Sequence, residues 1–148
     1  MKRSRRWFLR AAVTAAALVT LPVRVLARAT AAFKAKDTDS LMRELFGDMP
    51  IEASDAITLK VPDIAENGAV VPVTVSTDIE GVQQICVVVD NNPNPLSAIF
   101  NLSEHCVADV STRIKIGDSS ITRALVKTSD RVFMTMKEVK VTIGGCGG

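Results

Sequence analysis

The chain has 148 residues, of which 47% are hydrophobic and 23% are charged, and its formal net charge at pH 7 is +2. Six of the 18 Lys and Arg residues lie in the first 27 positions, and none of the 16 Asp and Glu residues do. A chain cleaved after residue 27 therefore carries 12 basic and 16 acidic residues, which gives a net charge of −4. A mildly acidic domain of about 120 residues is long enough for one hydrophobic core, and its charge excludes general electrostatic attraction to nucleic acid or to anionic lipid.

Residues 1–27 predict an export signal. Basic residues are concentrated in positions 2–10, residues 11–21 are apolar, and small residues near Ala27 offer a cleavage site. The apolar stretch is shorter than the ~20 residues that span a membrane. The run SRRWFLR at residues 4–10 matches the twin-arginine pattern, whose alternatives are an ordinary secretory signal and a membrane anchor. We therefore expect a periplasmic protein that is exported after it has folded. This route also allows a bound partner that lacks its own signal to be exported in the same complex.

Residues 28–55 predict a lead-in segment and one short helix. Asp39 is a suitable N-cap and Gly47 a suitable end for this helix. The apolar residues between them share one helical face: Leu41, Met42, Leu45 and Phe46. We expect this face to pack within the domain, and its alternative use is as a surface for a partner.

Residues 56–143 are rich in apolar residues that alternate with polar ones, which is typical of half-buried strands. The predicted strands are 57–61, 71–75, 84–89, 110–116, 121–128, 131–136 and 139–143. Residues 84–89 do not alternate but form a continuous apolar run, which is typical of a strand buried on both faces. Turn residues separate these runs, and seven short strands at this spacing predict an all-β fold, an immunoglobulin-like antiparallel β-sandwich. Because Pro72 has no N–H to donate, its strand is predicted to lie at a sheet edge or to carry a bulge.

The chain ends in GGCGG, residues 144–148. Apolar side chains anchor the last predicted strand up to Ile143, and the anchoring stops there. The cysteine is flanked by four glycines: Gly144, Gly145, Gly147 and Gly148. Because glycine has no side chain, this pattern predicts a thin, flexible tail that carries Cys146 on the order of 10 Å or more from the sheet. We interpret it as a swinging arm that presents one thiol to other proteins. The alternatives are a dimer linked through Cys146 and a bond to another cysteine of the same chain.

Few other residues are suited to catalysis. The chain has one histidine, His105, and no tyrosine, and no cluster has the ligand spacing of a zinc or copper site. We therefore expect no metal, no cofactor and no catalytic residue, and we expect His105 to lie on a surface loop. Nothing basic flanks Cys146, so its thiol is expected to be unactivated, and activation must come from an enzyme that receives the tail. This predicts a substrate carrier and not an enzyme.

Two further cysteines, Cys86 and Cys106, lie in or beside predicted strands. Because disulfides form in oxidising compartments, we predict an internal bond between Cys86 and Cys106. The alternative is two buried thiols that pack as small hydrophobic side chains.

Three stretches of the sequence resemble the SoxY family of sulfur carrier proteins in bacterial thiosulfate oxidation. They are VTIGGCGG at residues 141–148, IAENGAVVPV at residues 64–73 and NNPNPL at residues 91–96. The resemblance spans nearly the whole chain after the signal. It implies that Cys146 carries thiosulfate-derived sulfur covalently and presents it to partner enzymes. Cys86 and Cys106 depart from the family pattern, in which the tail cysteine is often the only one.

The resemblance also implies a set of partners. One is a SoxZ-like subunit, which lacks an export signal and forms a heterodimer with this chain. A haem enzyme would couple thiosulfate to Cys146, a manganese hydrolase would release sulfate and leave a persulfide, and a sulfur dehydrogenase, where present, would oxidise the remaining sulfur. The alternative function is a structural adaptor that dimerises through Cys146.

Overall fold

The computed structural model describes residues 30–142. The predicted export signal and the predicted tail with Cys146 therefore lie outside the described residues. A helix α1 (Thr38–Phe46) precedes the strands. The strands are β1 (Ile51–Ala53), β2 (Ile57–Lys60), β3 (Ile64–Ala65), β4 (Val71–Thr77), β5 (Gln84–Val89), β6 (Leu96–Asn101), β7 (Asp109–Ile114), β8 (Ser120–Lys127) and β9 (Val132–Val141). Within residues 30–142, the helices are too short or too polar to cross a membrane.

The strands form two sheets. The larger sheet has the order β1-β9-β8-β5-β6, with β3 added beside β9, and the smaller sheet has the order β2-β4-β7. Alternate residues of both sheets bury their side chains in one shared cluster, which includes Val73 and Val75 from β4, Val87 from β5 and Val126 from β8. Burial of these branched side chains on one face of each strand holds the two sheets together. The prediction of a mostly β protein with two sheets and a short N-terminal helix is confirmed, and the closer likeness to an immunoglobulin domain stays a prediction.

Helix α1 packs on the outer face of the larger sheet. Leu41 and Phe46 are buried in a second cluster with Leu125 and with Cys86. The expectation that this helical face packs within the domain is thereby confirmed. Gly47 ends the helix at φ 61°, a backbone conformation that favours glycine, and its N–H donates to the Arg43 carbonyl.

The N-cap of α1 is Asp37, and the predicted cap at Asp39 is wrong. The Asp37 carboxylate accepts a hydrogen bond of 2.8 Å from the Ser40 backbone N–H, whereas Asp39 lies in the first turn. The hydrogen bond from the Ser40 hydroxyl, followed by this backbone bond, lowers the pKa of Asp37. The helix begins two residues earlier than predicted because Thr38 and Asp39 both have helical backbone, which an N-cap residue does not have.

Three features of the sheets differ from the prediction. The two strands predicted at 131–136 and 139–143 form the single strand β9, because pairing with β8 continues through Lys137 and Glu138. Strands β1, β3 and β6 were not predicted, because β1 and β3 have only three and two residues and because Ser97 to Phe100 of β6 are all partly buried and show no alternation. The sheets are not wholly antiparallel, because β1 and β3 each pair with β9 in parallel.

The prediction that the strand of Pro72 lies at a sheet edge or carries a bulge is wrong, because Pro72 lies on β4, the middle strand of the smaller sheet, and β4 pairs with β7 in continuous register. Its partner on one side is Arg113 of β7. On the other side β2 pairs only with residues 74–77, so Pro72 lies beyond the end of β2. The sheet tolerates a residue without an N–H here because no bond from Pro72 to β2 is needed.

The position of the cap generates a stability prediction. Asp37→Ala should lower the free energy of unfolding by about 1 kcal/mol, because it removes the acceptor of an otherwise unpaired helix N–H. Asp39→Ala is the matched control and should cost less than about 0.5 kcal/mol. Urea denaturation of the two variants measures both values. A larger loss of unfolding free energy in Asp39→Ala than in Asp37→Ala would indicate that Asp39, and not Asp37, is the N-cap.

Candidate functional site

The predicted functional residue, Cys146, lies outside the described residues, so the site is described from the point where its segment leaves the domain. We call Val141 and Thr142 the tail root. Thr142 is the last described residue and precedes Cys146 by four positions. How the tail root is held determines what the following segment can reach.

Backbone hydrogen bonds fix the tail root on both sides. Val141 N donates to Ser119 Oγ over 2.9 Å, and Thr142 N donates to the Ala65 carbonyl oxygen over 3.1 Å. Ala65 is also the parallel pairing partner of Val141. Hydrogen bonds therefore hold the backbone as far as Thr142, the last described residue.

Gly68 packs directly against the tail root. A Cβ at this position would overlap the Ile116 carbonyl oxygen and would lie 2.9 Å from Val141 Cγ1. The Gly68 carbonyl also accepts a hydrogen bond of 2.7 Å from Ile116 N. The close approach of these two backbones requires glycine, because any side chain would push Ile116 and Val141 apart.

Two asparagines after β5 support the loop that carries Ser119. Asn91 Nδ2 donates to the Ser119 carbonyl oxygen over 2.7 Å. Asn92 Nδ2 donates to the Lys115 carbonyl oxygen over 2.8 Å, and Asn92 Oδ1 accepts from Gly117 N over 3.0 Å. These hydrogen bonds form a brace that holds the backbone of residues 115–119. Ser119, which the brace holds, accepts a hydrogen bond from Val141 N.

The three stretches that carry the family resemblance meet at the tail root. Gly68 belongs to residues 64–73, Asn91 and Asn92 belong to residues 91–96, and Val141 begins the last stretch. Sequence reasoning placed Gly68, Asn91 and Asn92 in turns and Val141 on the last strand, and it gave none of them a role at a functional site beyond the resemblance. No signal pointed to Ser119, because a serine in a polar loop is common.

The predicted disulfide between Cys86 and Cys106 does not form, and both cysteines are free. Cys86 is 0% exposed, on the face of β5 that α1 covers. Cys106 is exposed on the loop after β6, where its sulfur lies 3.2 Å from Ser103 Oγ. The Cys86 sulfur is enclosed between α1 and the larger sheet, so it cannot bond to the sulfur of Cys106 on the exposed loop.

The environments of these two thiols have opposite effects on acidity. Burial raises the pKa of the Cys86 thiol to about 12. The hydrogen bonds with Ser103 lower the pKa of the Cys106 thiol. The expected position of His105 is confirmed, since it is exposed on the same loop. In residues 30–142 there is no group of three or more His, Cys, Asp or Glu residues that could hold a metal ion.

Cys106 and the tail root lie at opposite ends of the domain. Strand β8 begins at Ser120, beside the tail root, and runs to Lys127, and Cys106 lines a surface depression with Ser129 and Gln83 at that far end. Eight residues of strand extend roughly 26 Å, whereas four residues beyond Thr142 extend at most about 14 Å. Cys146 therefore cannot reach Cys106 of its own chain.

Comparison with known proteins finds one family and a solved structure that resemble the chain. The family model described as sulfur oxidation protein SoxY matches residues 42–146. The structure of the sulfur carrier protein SoxY from Chlorobium limicola f thiosulfatophilum is 37% identical and superposes with a TM-score of 0.66, covering 71% of this chain and 96% of the other. A comparison with the curated proteins found no match.

The close approach at Gly68 generates a second stability prediction. Gly68→Ala should lower the free energy of unfolding by about 1–3 kcal/mol, because the new methyl group forces Ile116 away from the tail root. Gly117→Ala is the matched control, since a Cβ there would make only an ordinary 3.5 Å contact with Asn92 Oδ1, and it should cost less than about 0.5 kcal/mol. Equal losses in urea denaturation would contradict the role assigned to Gly68.

The two described cysteines should differ in reactivity. At neutral pH, iodoacetamide should modify Cys106 in the native protein, whereas Cys86 should react roughly a thousandfold more slowly, because its raised pKa leaves almost no thiolate and burial excludes the reagent. Peptide mapping by mass spectrometry, with and without urea, measures both. A peptide pair linked through Cys86 and Cys106 under non-reducing conditions would restore the disulfide prediction.

Proposed function

The chain belongs to the SoxY family of sulfur oxidation proteins, and from that membership we propose that it is a covalent carrier of sulfur intermediates in thiosulfate oxidation, with Cys146 as the carrier residue. The observation that supports this most directly is the construction of the tail root. Ser119 and Ala65, from two separate stretches of the chain, fix the backbone at Val141 and Thr142, and Asn91 from a third stretch holds Ser119. Thr142 lies four positions before a cysteine flanked by glycines. A carrier that delivers one sulfur atom into the active sites of several enzymes requires a fixed point of attachment followed by a thin segment.

The other two cysteines are poorly suited to this role. Cys86 is buried among apolar side chains. Cys106 is exposed, but its depression is also lined by Asp78, Glu80 and Glu104, whose negative charges oppose the approach of dianionic thiosulfate. Cys146 is flanked in the sequence by glycines alone, and the length of the domain prevents it from forming an internal bond with Cys106.

Covalent attachment also agrees with the charge of the domain. Without residues 1–27 the chain has a net charge of −4, so it has no general attraction for sulfur oxyanions. A covalent bond to Cys146 holds the intermediate without such attraction and prevents its loss by diffusion between enzymes.

The carrier cycle implied by the family has balanced chemistry at Cys146. A haem enzyme joins the outer sulfur of thiosulfate to the Cys146 sulfur, releasing the thiol proton and accepting two electrons. Water then takes the sulfonate group away as sulfate in the manganese hydrolase, leaving a persulfide on Cys146. Where a sulfur dehydrogenase is present, it oxidises the remaining sulfur, and a second hydrolysis restores the thiol. In this cycle the chain is a carrier subunit and not an enzyme.

The proposal includes the location and the stable partner. The SRRWFLR run supports export to the periplasm by the twin-arginine route. Family membership supports a heterodimer with a SoxZ-like subunit that has no signal of its own and is exported with this chain.

The carrier role predicts the effect of replacing the Cys146 sulfur atom with oxygen. Cys146→Ser should leave folding and partner binding unchanged and should lower thiosulfate-dependent sulfate production by more than about a hundredfold, because an alcohol oxygen cannot form the carrier bond. Cys106→Ser is the matched control and should retain the wild-type rate. Sulfate release by the reconstituted enzyme system measures both. Continued turnover by Cys146→Ser would rule out Cys146 as the carrier, and loss of turnover in Cys106→Ser alone would move the role to Cys106.

A further inference from the structure

The smaller sheet presents a polar face to solvent. Val73 and Val75 of β4 point into the shared core, so their neighbours Pro72 and Thr74 point outward. Residues directly opposite each other in paired strands share a face. The outward face therefore also includes residues of β2 and β7, and we call five of its residues the cationic face: Lys60, Pro72, Thr74, Ser111 and Arg113.

Two depressions cover the cationic face and meet at Pro72 and Thr74. One of them, of about 510 Å³, extends from these residues over β7 to Arg113. The other, of about 410 Å³, extends over β2 to Lys60 and Lys137. Among the described residues, no carboxylate lines either depression. A surface without acidic side chains therefore crosses all three strands of the smaller sheet.

Two of the cations on this surface are available to a partner. Lys60 and Arg113 are exposed, and none of the four ion pairs found in residues 30–142 includes either of them. Lys137 is already occupied, because its Nζ lies 2.9 Å from Asp63 Oδ1 and donates to the Val61 carbonyl oxygen over 2.8 Å. Lys60 and Arg113 are therefore the charges that an external anion meets.

Hydroxyl groups form the floor between these two cations. Thr74 Oγ1 and Ser111 Oγ lie 2.8 Å apart, and one of them donates to the other. The pair has two hydroxyl hydrogens and uses one, so the second can donate to a ligand. Lys60 and Arg113 flank the pair, with Cα atoms roughly 12 Å apart. Asp109 shares this face of β7 but lies roughly 13 Å from Arg113, where salt screens most of its charge.

The cationic face lies at the end of the domain from which the tail leaves. Arg113 precedes Ile116, whose backbone packs beside the tail root, by three positions. Lys60 leads through residues 61–63 into β3, which pairs with the tail root. At the other end of the smaller sheet, the loop after β4 lines the acidic depression around Cys106. A protein that takes up the tail therefore approaches the cationic end of this sheet and not the acidic one.

We propose that the cationic face docks an acidic surface patch beside the active-site entrance of the enzymes that receive the tail. This inference rests on the proposed function. Because the chain without residues 1–27 carries a net charge of −4, an acidic patch repels the domain as a whole and attracts it at this face. The attraction therefore orients the domain with its tail toward the enzyme. Exposed ion pairs suit a carrier, because they guide the encounter and still allow release after each delivery.

The kinetic test measures sulfate release by the reconstituted enzyme system over a range of carrier concentrations. The double variant Lys60→Gln with Arg113→Gln should raise the KM for the carrier roughly three- to tenfold, because two exposed ion pairs are lost, and should leave kcat within about twofold. Raising the salt concentration from about 0.05 to 0.5 M should raise the KM of the parent more than that of the double variant.

Lys36→Gln with Arg43→Gln is the matched control. It removes the same two charges from exposed positions just before and within α1, which packs on the larger sheet. Neither residue belongs to an ion pair found in residues 30–142. The control should therefore keep the KM of the parent.

The binding test uses an octaglutamate peptide and the purified carrier, without any enzyme. The peptide should shift the NMR amide signals of Val73, Thr74 and Thr112, which line the depression at Arg113, in the parent and in the control. It should not shift them in Lys60→Gln with Arg113→Gln. Sulfate at the same ionic strength should produce smaller shifts, because a single oxyanion cannot contact two cations roughly 12 Å apart.

An unchanged KM in the double variant, or an equal rise in the control, would overturn the docking proposal. Unmoved signals with octaglutamate would do the same, and equal shifts with sulfate would make the face a site for inorganic anions instead. Each of these results leaves the carrier role intact. Failure of the carrier role is detected separately, by continued sulfate production in Cys146→Ser.

Discussion

The contact between the backbones at Gly68 and Ile116, closed over Val141, is the constraint on which the rest of the site depends. It allows β3, the loop after β7 and the end of β9 to meet without intervening side chains. The hydrogen bonds to Val141 and Thr142 follow from that closeness. A carrier segment that began from a loose strand end would have an uncertain reach, whereas a segment that begins at Thr142 has a reach set by its own length.

The three cysteines show how position in a fold decides what a thiol does. The same side chain is a core residue at Cys86, where burial raises its pKa to about 12, and an accessible group at Cys106, where an acidic depression surrounds it. At Cys146 the neighbouring residues are glycines, and chain length keeps it away from Cys106. Under the proposed function, the burial of Cys86 and the acidic surroundings of Cys106 leave Cys146 as the thiol that reacts with a sulfur oxyanion.

Sequence patterns predicted the strands whose side chains alternate and the continuous apolar run of β5, and they did not predict the strands whose positions depend on packing. Strand β4 shows regular alternation and was found, whereas β6 is partly buried on both faces and was not. The disulfide was predicted from the compartment, the number of cysteines and their positions in or beside predicted strands, and these say nothing about the helix that covers Cys86. Likewise, the tail motif indicated a carrier, but the brace formed by Asn92 depends on contacts with residues more than twenty positions away.

The most direct test of the carrier account is mass spectrometry of the intact protein and its C-terminal peptide after isolation from cells that are oxidising thiosulfate. The account predicts thiosulfonate, persulfide or sulfonate adducts on Cys146, with Cys86 unmodified and Cys106 free of these adducts. A Cys146 found only in a symmetric disulfide between two copies, or bonded to another cysteine of its own chain, would contradict it.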